Sequence, residues 1–556
     1  MSKKVRIIPL GGLGEIGKNL TVFETDNDMI IIDCGVAFPE DSMLGVDLVI
    51  PDMTYIRKNA SKLRGIFITH AHEDHIGSLP FLLKDVNVPI YATKFTLKVI
   101  KSKLAETEQS KKVKTKSINP RQSVILGDFK VEFINVNHSI PGAVAMAITT
   151  PCGTIVHTGD FKIDMTPTYG EPIDLRRLNE YGSKGVKLLM CESTNAERLG
   201  FTTSEIMVKN SIKDLFVKYA KKRITVATFS SNVYRLQSVV KAALKQNRKI
   251  VLIGRSMLNI SEVAMEEGIL QIPEESLITA EESLNYENNE VCIITTGSQG
   301  EPMSALYRMA LNDRRSLSLT EDDVVILSSH TIPGNEQLVN TVLNKLAEKN
   351  VTVLNDCNVQ NIHASGHACQ EELKILQNII NPEYLMPIHG EFKHMKANKD
   401  LSKTLGRQED KTIISSNGRV VEMTDEGVFL TDEYVSCKET YVDGSLIGDV
   451  GPVIIRDRQI LSHSGIIVIV MVAKLGQKSM LLTRPDVISK GFIYIKESNE
   501  FITEIKNIAE REFNKCVEEN IFDEKNIKDR IRTAVYEFTT NTTGRKPMII
   551  PVLEII

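Results

Sequence analysis

The stretch FITHAHEDHIGS, residues 67–78, places three histidines and two acidic residues in the six positions from His70 to His75. It follows directly on an apolar run, residues 63–69, that reads as a buried strand. Side chains two apart in an extended segment share a side. His70 and His72 can therefore address one point. Asp74 and His75 fall where the strand gives way to a helical pattern and can address a second point close by. Imidazole and carboxylate together suit zinc, with manganese as the alternative. A polar turn rarely needs four such residues at a strand's carboxyl end.

Three further strand ends extend the set. FINVNHSIPG sets His138 after an apolar run, TIVHTGDFK does the same for Asp160, and YLMPIHGEF for His389. Singly, each reads as an ordinary loop residue. Together with the first four they make seven ligands, enough for two ions. The natural division puts His70, His72 and His138 on one ion and Asp74, His75 and His389 on the other, with Asp160 bridging.

The chain has 556 residues, 42% apolar and 25% charged, which suggests two to four domains of a globular protein. Its net charge of −4 excludes a global basic field. RNA or DNA contact would have to come from local clusters such as residues 98–116 or 221–223. Eight cysteines stand singly with no C-x-x-C, which argues against a zinc ribbon and a disulfide framework. The longest apolar stretch, residues 465–473, is too short for a membrane span. No signal-peptide core opens the sequence. A cytoplasmic protein without a membrane partner is the expectation.

Strand-like segments dominate the first 160 residues. From about 205 to 355 amphipathic helical runs alternate with buried strands, the pattern of a parallel α/β unit. Residues 430–450 read as a connector, 452–473 as a β run and 499–519 as a helix. GLGEIG (Gly12, Gly14, Gly17) imitates a dinucleotide fingerprint, with Asp33 closing a later strand. That reading needs a helix after the glycines. KNLTVFET follows instead and reads as strand, so a hairpin turn is expected.

With these features assembled, the chain resembles the metallo-β-lactamase superfamily. The segment between Asp160 and His389 is similar to a β-CASP nuclease insertion. PLGGLGEIGKN, FPEDSMLGVDLVIPD, CESTNAERLG, TFSSNVYRLQ, TGSQGEP, IPGNE, HASGHACQEEL and VISKGFIYIKES narrow the resemblance to ribonuclease J, over essentially the whole chain. It implies an α/β protein: an αββα metallo-β-lactamase sandwich (residues 1–204 and 356–430) with an inserted β-CASP α/β domain (205–355). A linker (431–451) and a small C-terminal α/β domain (452–556) follow.

The activity it implies is that of a two-metal ribonuclease. The enzyme would work 5′-to-3′, prefer a 5′-monophosphate, and also cleave internally, in RNA maturation and mRNA decay. Its cofactors would be two Zn²⁺ per subunit, with Mn²⁺ or Mg²⁺ as alternatives. Asp74 would serve catalysis as well as metal binding. His367 matches the β-CASP histidine proposed as general acid. Glu192 matches the acidic position that orients it, where the family more often has Asp. Ser231, Asn232 and Val233, with His363, Ala364, Ser365, Gly366 and His367, match the pocket for the 5′ nucleotide; Tyr234 reads first as a buried tyrosine, with stacking on a base as the alternative. Leu44, Val46 and Asp443 match a structural calcium site. The C-terminal domain would support homodimers or homotetramers, and a paralogous subunit or RNA-decay complex is a further expected partner. The rival readings are a DNA-directed β-CASP nuclease, a thioester or lactone hydrolase, and a non-catalytic scaffold.

Overall fold

The computed structural model describes residues 3–105, 107, 112–311, 317–332, 334–444, 446–475, 479–492 and 499–556. Lys111, Pro333 of IPGNE and the end of VISKGFIYIKES lie outside them. The chain divides into two compact units: Met1–Ala37 with Ile50–Glu439, and Phe38–Val49 with Thr440–Ile556.

Two sheets face each other in the first unit. One has eight strands, in the order Val428–Tyr434, Arg419–Thr424, Lys4–Gly11, Leu20–Glu24, Met29–Ile32, Leu63–Phe67, Ile90–Ala92 and Thr115–Ser117. The other has six: Tyr384–Ile388, Leu188–Glu192, Gly153–His157, Val144–Thr150, Phe129–Asn135 and Ser123–Leu126. Side chains alternate across each strand. Val5, Ile7, Phe23, Ile30 and Phe67 therefore meet Phe133, Met146, Ile155, Met190 and Met386 between the sheets. The opposite faces are apolar too. Ile8, Leu10, Val22 and Ile31 pack under the helical segments of residues 54–104. Val156, Leu189 and Leu385 pack with Leu178, Leu373, Leu376 and Leu401 of three other helices. A sheet buried on both faces needs apolar residues at nearly every position. That is why MIII (Met29–Ile32) and YLMPI (Tyr384–Ile388) are fully buried.

A parallel sheet of five strands interrupts this sandwich in sequence, ordered Lys249–Ile253, Val291–Thr295, Arg223–Ala227, Asp323–Leu327, Thr352–Leu354. Helices such as Glu205–Lys218, Val233–Leu244 and Glu336–Glu348 connect it.

The glycine-rich stretch is not a dinucleotide loop. It joins the antiparallel strands Lys4–Gly11 and Leu20–Glu24, with no helix between. Leu13–Gly14 pairs with Gly390–Glu391, so the loop lies along the residues after His389.

In the second unit, Ile466–Lys474 pairs with Met480–Leu481, Asp486–Lys490 and Met548–Ile555. Helices Asn499–Glu518 and Glu524–Thr543 cover one face through Ile505, Phe513, Ile527 and Ile531. The β run expected over 452–473 is half wrong: Pro452–Ser464 is a helix and only Ile466–Lys474 is strand. Proline suits a first helical turn, and Gly465, at φ +71°, ends the helix. The second long helix and the last strand were not foreseen.

Candidate metal centre

The strands Leu63–Phe67, Phe129–Asn135, Gly153–His157, Leu188–Glu192 and Tyr384–Ile388 deliver His70, His138, Asp160, Glu192 and His389 at or just beyond their carboxyl ends. His72 is the N-cap of the short helix Glu73–Ile76, which carries Asp74 and His75. The structure thus gathers two groups, His70, His72, His138 and Asp160, and Asp74, His75, Asp160 and His389, with Asp160 in both.

In the first group three ring nitrogens turn toward one another. His70 Nε2 lies 3.0 Å and His138 Nε2 3.1 Å from His72 Nδ1. Asp160 Oδ2 is 3.6 Å from His70 Nε2 and 3.8 Å from His138 Nε2. A tetrahedral zinc with bonds of about 2.0–2.1 Å separates its ligands by about 3.3–3.4 Å, close to these spacings. The outer nitrogens are all engaged. His70 Nδ1 meets Thr69 Oγ1 at 3.0 Å, His72 Nε2 meets Ser231 Oγ at 3.1 Å, and His138 Nδ1 meets the Gly366 carbonyl at 2.8 Å. Since Thr69 Oγ1 donates to Asp33 (2.8 Å), it accepts from His70. The outer N–H groups of His70 and His138 are thereby fixed, the Ser231 hydroxyl holds the outer nitrogen of His72, and the inner nitrogens turn toward a common point for a cation. Burial pushes all three imidazoles down, that of His72 to about 4, and the neighbouring histidines add to the effect. Neutral imidazole is the ligating form.

The second group is charged. Burial would raise the Asp74 and Asp160 carboxyls, yet His75 and His389 hold both well below the usual range. Conversely, burial opposes a proton on His75 and His389, but Asp160, with Asp74, raises both, His389 to about 10. His75 Nε2 lies 3.3 Å from an oxygen of each aspartate. His389 Nδ1 is 2.6 Å from Asp160 Oδ1. His389 Nε2 is buried without a hydrogen-bond partner, 3.4 Å from Asp74 Oδ2. The charge that attracts protons here attracts a divalent cation equally. An orphaned, buried nitrogen beside carboxylates fits that role, and the centre is one for divalent metal.

Asp33 is the residue the sequence reading misplaced. Its carboxylate accepts from Thr69 N and Oγ1 and from His75 Nδ1, each at 2.8 Å. It therefore braces His70 indirectly and His75 directly. Asp33 (φ +61°) and His389 (φ +47°) both hold left-handed backbone, at a cost of about 1–3 kcal/mol each.

Beside the centre, His367 Nδ1 meets Glu192 Oε2 at 2.9 Å, so the longer Glu side chain does reach it. Glu192 Oε1 accepts from Phe161 N at 2.7 Å. Burial opposes the His367 imidazolium, and Glu192 raises it above the ordinary value. The loop carrying His367 is held by Asn195, whose Nδ2 donates to Ser365 Oγ and the His367 carbonyl, and by Thr202 Oγ1 on the same carbonyl. Neither residue was foreseen; CESTN marked the segment but not which side chain would turn inward. Gly366 is required here, since a Cβ would sit 2.6 Å from His138 Cε1.

The expected nucleotide pocket is brought together only in part. Ser231 reaches His72. Asn232 Oδ1 caps the helix Val233–Leu244 by accepting from Arg235 N, and Val233 is buried in the core. Their side chains do not face the centre as free groups. Tyr234 stacks on Tyr169 with centroids 6.0 Å apart rather than standing open. The basic stretch after Lys98 is partly neutralised: Lys98 pairs with Glu266 and Glu267, and Lys103 with Glu73. In the second cluster Arg223 pairs with Asp323.

The second expected cation position is different in kind. Leu44 O and Asp443 Oδ2 do converge, but on Arg458: Nη1 donates to the Leu44 carbonyl at 3.0 Å and Nη2 to the carboxylate at 2.5 Å. Gly45 makes room for it, since a Cβ there would lie 2.7 Å from Nη1. Val46 contributes no contact to this group; its N–H goes to Met43 O. A calcium ion does not fit these residues while the guanidinium stands among them.

Comparison with known proteins agrees with this architecture. Residues 29–176 match the beta-lactamase superfamily domain, and 221–346 the ribonuclease J beta-CASP domain. Residues 356–414 match the Zn-dependent metallo-hydrolase RNA specificity domain, and 453–555 the ribonuclease J C-terminal domain. The chain is 36% identical to ribonuclease J2 of Bacillus subtilis over 99% of both chains. It is 39% identical to ribonuclease J 1 of Streptococcus pyogenes over 99% of this chain and 97% of that one. With ribonuclease J of Thermus thermophilus it shares 40% over 99% and 95%. A solved protein of unknown function from Enterococcus faecalis shares the fold at a TM-score of 0.56 and 19% identity, over 75% of this chain and all of that one. Among the described residues, no helix is long and apolar enough to cross a membrane.

Proposed function

The chain belongs to the ribonuclease J family, and from that premise we propose that it is a metal-dependent 5′-to-3′ exoribonuclease preferring 5′-monophosphate RNA, with endonucleolytic cleavage as a second mode, acting in RNA maturation and mRNA decay. The observation that carries the reading is the convergence of seven side chains on two adjoining points that share Asp160. We assign His70, His72 and His138 to one divalent ion and Asp74, His75 and His389 to the other. Zinc fits the nitrogen-rich first group best, with manganese or magnesium as alternatives. Such a pair, when bound, supplies a water activated near neutral pH and a clamp for the scissile phosphate.

The protein's own part is positioning and proton transfer. Outer hydrogen bonds hold His70 and His138 in one tautomer each, and Ser231 orients the His72 ring. Asp160 sets the two groups side by side. His367, whose proton Glu192 favours and which lies next to His138 and His389, would protonate the leaving 3′ oxygen. Residues 363–367 lie against the first group through Gly366 and suit the terminal phosphate, which would let the enzyme measure from the 5′ end.

Self-association would use the second unit. Ile488, Val468 and Ile550 form a cross-strand row on the sheet face opposite its helices, with Val552 beside it. Ile488, Ile550 and Val552 are exposed there. A second copy is the partner this row suits; RNA and an RNA-decay complex are the others we propose, in the cytoplasm.

The deciding experiment supplies 5′-labelled RNA with monophosphate or triphosphate ends, DNA of the same sequence, and a thioester. Released mononucleotide, faster from monophosphate RNA, supports the reading. Equal rates on both RNA ends remove the end preference. Cleavage of DNA or the thioester alone favours a rival enzyme. No cleavage with Zn²⁺ or Mn²⁺ present favours a scaffold.

A further inference from the structure

Resting on the reading of residues 363–367 as the seat of the RNA 5′ end, we propose that Arg235 is a positioning residue that locks His363 as a neutral Nε2–H donor to the terminal phosphate. Arg235 is 1% exposed and spends every donor on protein. Its Nε donates to Glu205 Oε2 (3.3 Å), and Nη2 to Glu205 Oε1 (2.6 Å) and the Ala364 carbonyl (3.3 Å). Nη1 shares its two N–H groups among His363 Nδ1 (2.8 Å) and the Ser328 carbonyl and Oγ (3.1 Å each). A guanidinium has five N–H groups and no acceptor, and it does not deprotonate in proteins. No donor is left over for a substrate, so Arg235 can act only through what it holds.

What it holds has one chemical consequence. His363 Nδ1 lies 2.8 Å from Arg235 Nη1 and 3.3 Å from the Ser328 carbonyl; the arginine contact is the shorter and comes from a group that can only donate, so Nδ1 accepts from it. His363 Nδ1 therefore carries no proton, and the ring proton sits on Nε2. No hydrogen bond joins Nε2 to any described residue. Burial pushes the imidazolium down, and Arg235 and His330, whose ring stands 4.7 Å away edge-on, push it further. The same guanidinium grips the Ala364 carbonyl, so it sets the ring and its backbone together. Through Glu205 this knot ties helix Glu205–Lys218 to helix Val233–Leu244.

The bland alternative is a buried strut with no bearing on substrate. The two roles separate on RNAs of one sequence carrying a 5′-monophosphate or a 5′-hydroxyl, with KM and kcat measured for each. An asparagine at 363 can keep the Arg235 bond but cannot reach the phosphate; a glutamine puts an amide N–H near the Nε2 position. His363→Asn should lower the monophosphate-to-hydroxyl ratio of kcat/KM about tenfold, the worth of one hydrogen bond to a charged group, with the loss in KM. His363→Gln should recover most of it. Arg235→Lys, which keeps a cation beside Glu205, should also lower the ratio. Adding His363→Gln to it should restore the ratio, because an amide has no tautomer to lock. Circular dichroism checks that each variant is folded, and the His363 pair decides the question if Arg235→Lys is not. If wild type discriminates but His363→Asn leaves the ratio intact, the inference is overturned while the end-binding reading stands. The same holds if Arg235→Lys lowers kcat on both RNAs without rescue. If wild type does not discriminate at all, the reading of residues 363–367 fails and takes this inference with it.

Discussion

Two places in this chain resemble cation sites, and they differ in what stands between the ligands. At residues 70–75 the ring nitrogens of His70, His72 and His138 lie 3.0–3.1 Å apart with their other nitrogens already bonded. Among the described residues, only the neighbouring imidazoles themselves come within hydrogen-bond distance of the inner nitrogens. At Leu44 and Asp443, the Arg458 guanidinium satisfies the acceptors from within the chain. Ligand type alone does not make a metal site. A site exists where buried donors are oriented and left without a protein partner, and it closes where an arginine supplies the charge.

That contrast can be broken at either end. The largest effect should come from Asp160→Ala, which removes the ligand common to both groups. Activity on RNA should fall on the order of 10³-fold or more, because metal polarisation is worth several kcal/mol. Next comes Glu192→Gln, read by the pH profile of kcat. The general acid works protonated, so activity falls as pH rises through the His367 pKa. Without the Glu192 carboxylate that pKa drops, so the descending limb should move to lower pH, with a loss on the order of 10²-fold above it. An unmoved limb would reassign the acid. Asp33→Ala leaves all seven proposed ligands and removes the carboxylate that holds His75 Nδ1. Metal affinity, titrated against a chelator, should weaken about 10- to 100-fold. The smallest effect belongs to the other end of the comparison. Arg458→Ala should cost about 1 kcal/mol, a charge-assisted bond discounted because both partners are about one-third exposed. Thermal melting of wild type should not move when calcium is added or removed; a calcium-dependent shift would restore the metal reading there.

Much of the centre could be read from sequence because each ligand follows a short apolar strand. Parallel and mixed sheets bring such ends to one edge, which is how His138 and Asp160 meet the turn at 70–75. Less legible were residues whose meaning depends on partners far along the chain. Asp33 sits after a strand as the metal ligands do, but a glycine motif offered a competing explanation; only the fold shows that Thr69 and His75 claim its carboxylate. Arg458 looks like any surface arginine until Leu44 is folded against it, 414 residues away. Asn232 and Val233 sit in a recognisable motif, yet one caps a helix and the other fills the core. Their part in any pocket is left to the backbone. The helix Pro452–Ser464 was hidden because VIIRDRQIL groups its apolar residues at 453–455 and 460–461 and follows neither a strand's nor a helix's period clearly.

On the reading proposed above, buried imidazoles and two aspartates hold divalent metal that RNA cleavage requires. That requirement is tested most directly by measuring bound metal and RNA cleavage on the same sample through chelation and readdition. Up to two ions per chain, cleavage lost as they leave, and recovery with Zn²⁺ or Mn²⁺ are expected. Full cleavage by a protein stripped of metal would contradict the requirement.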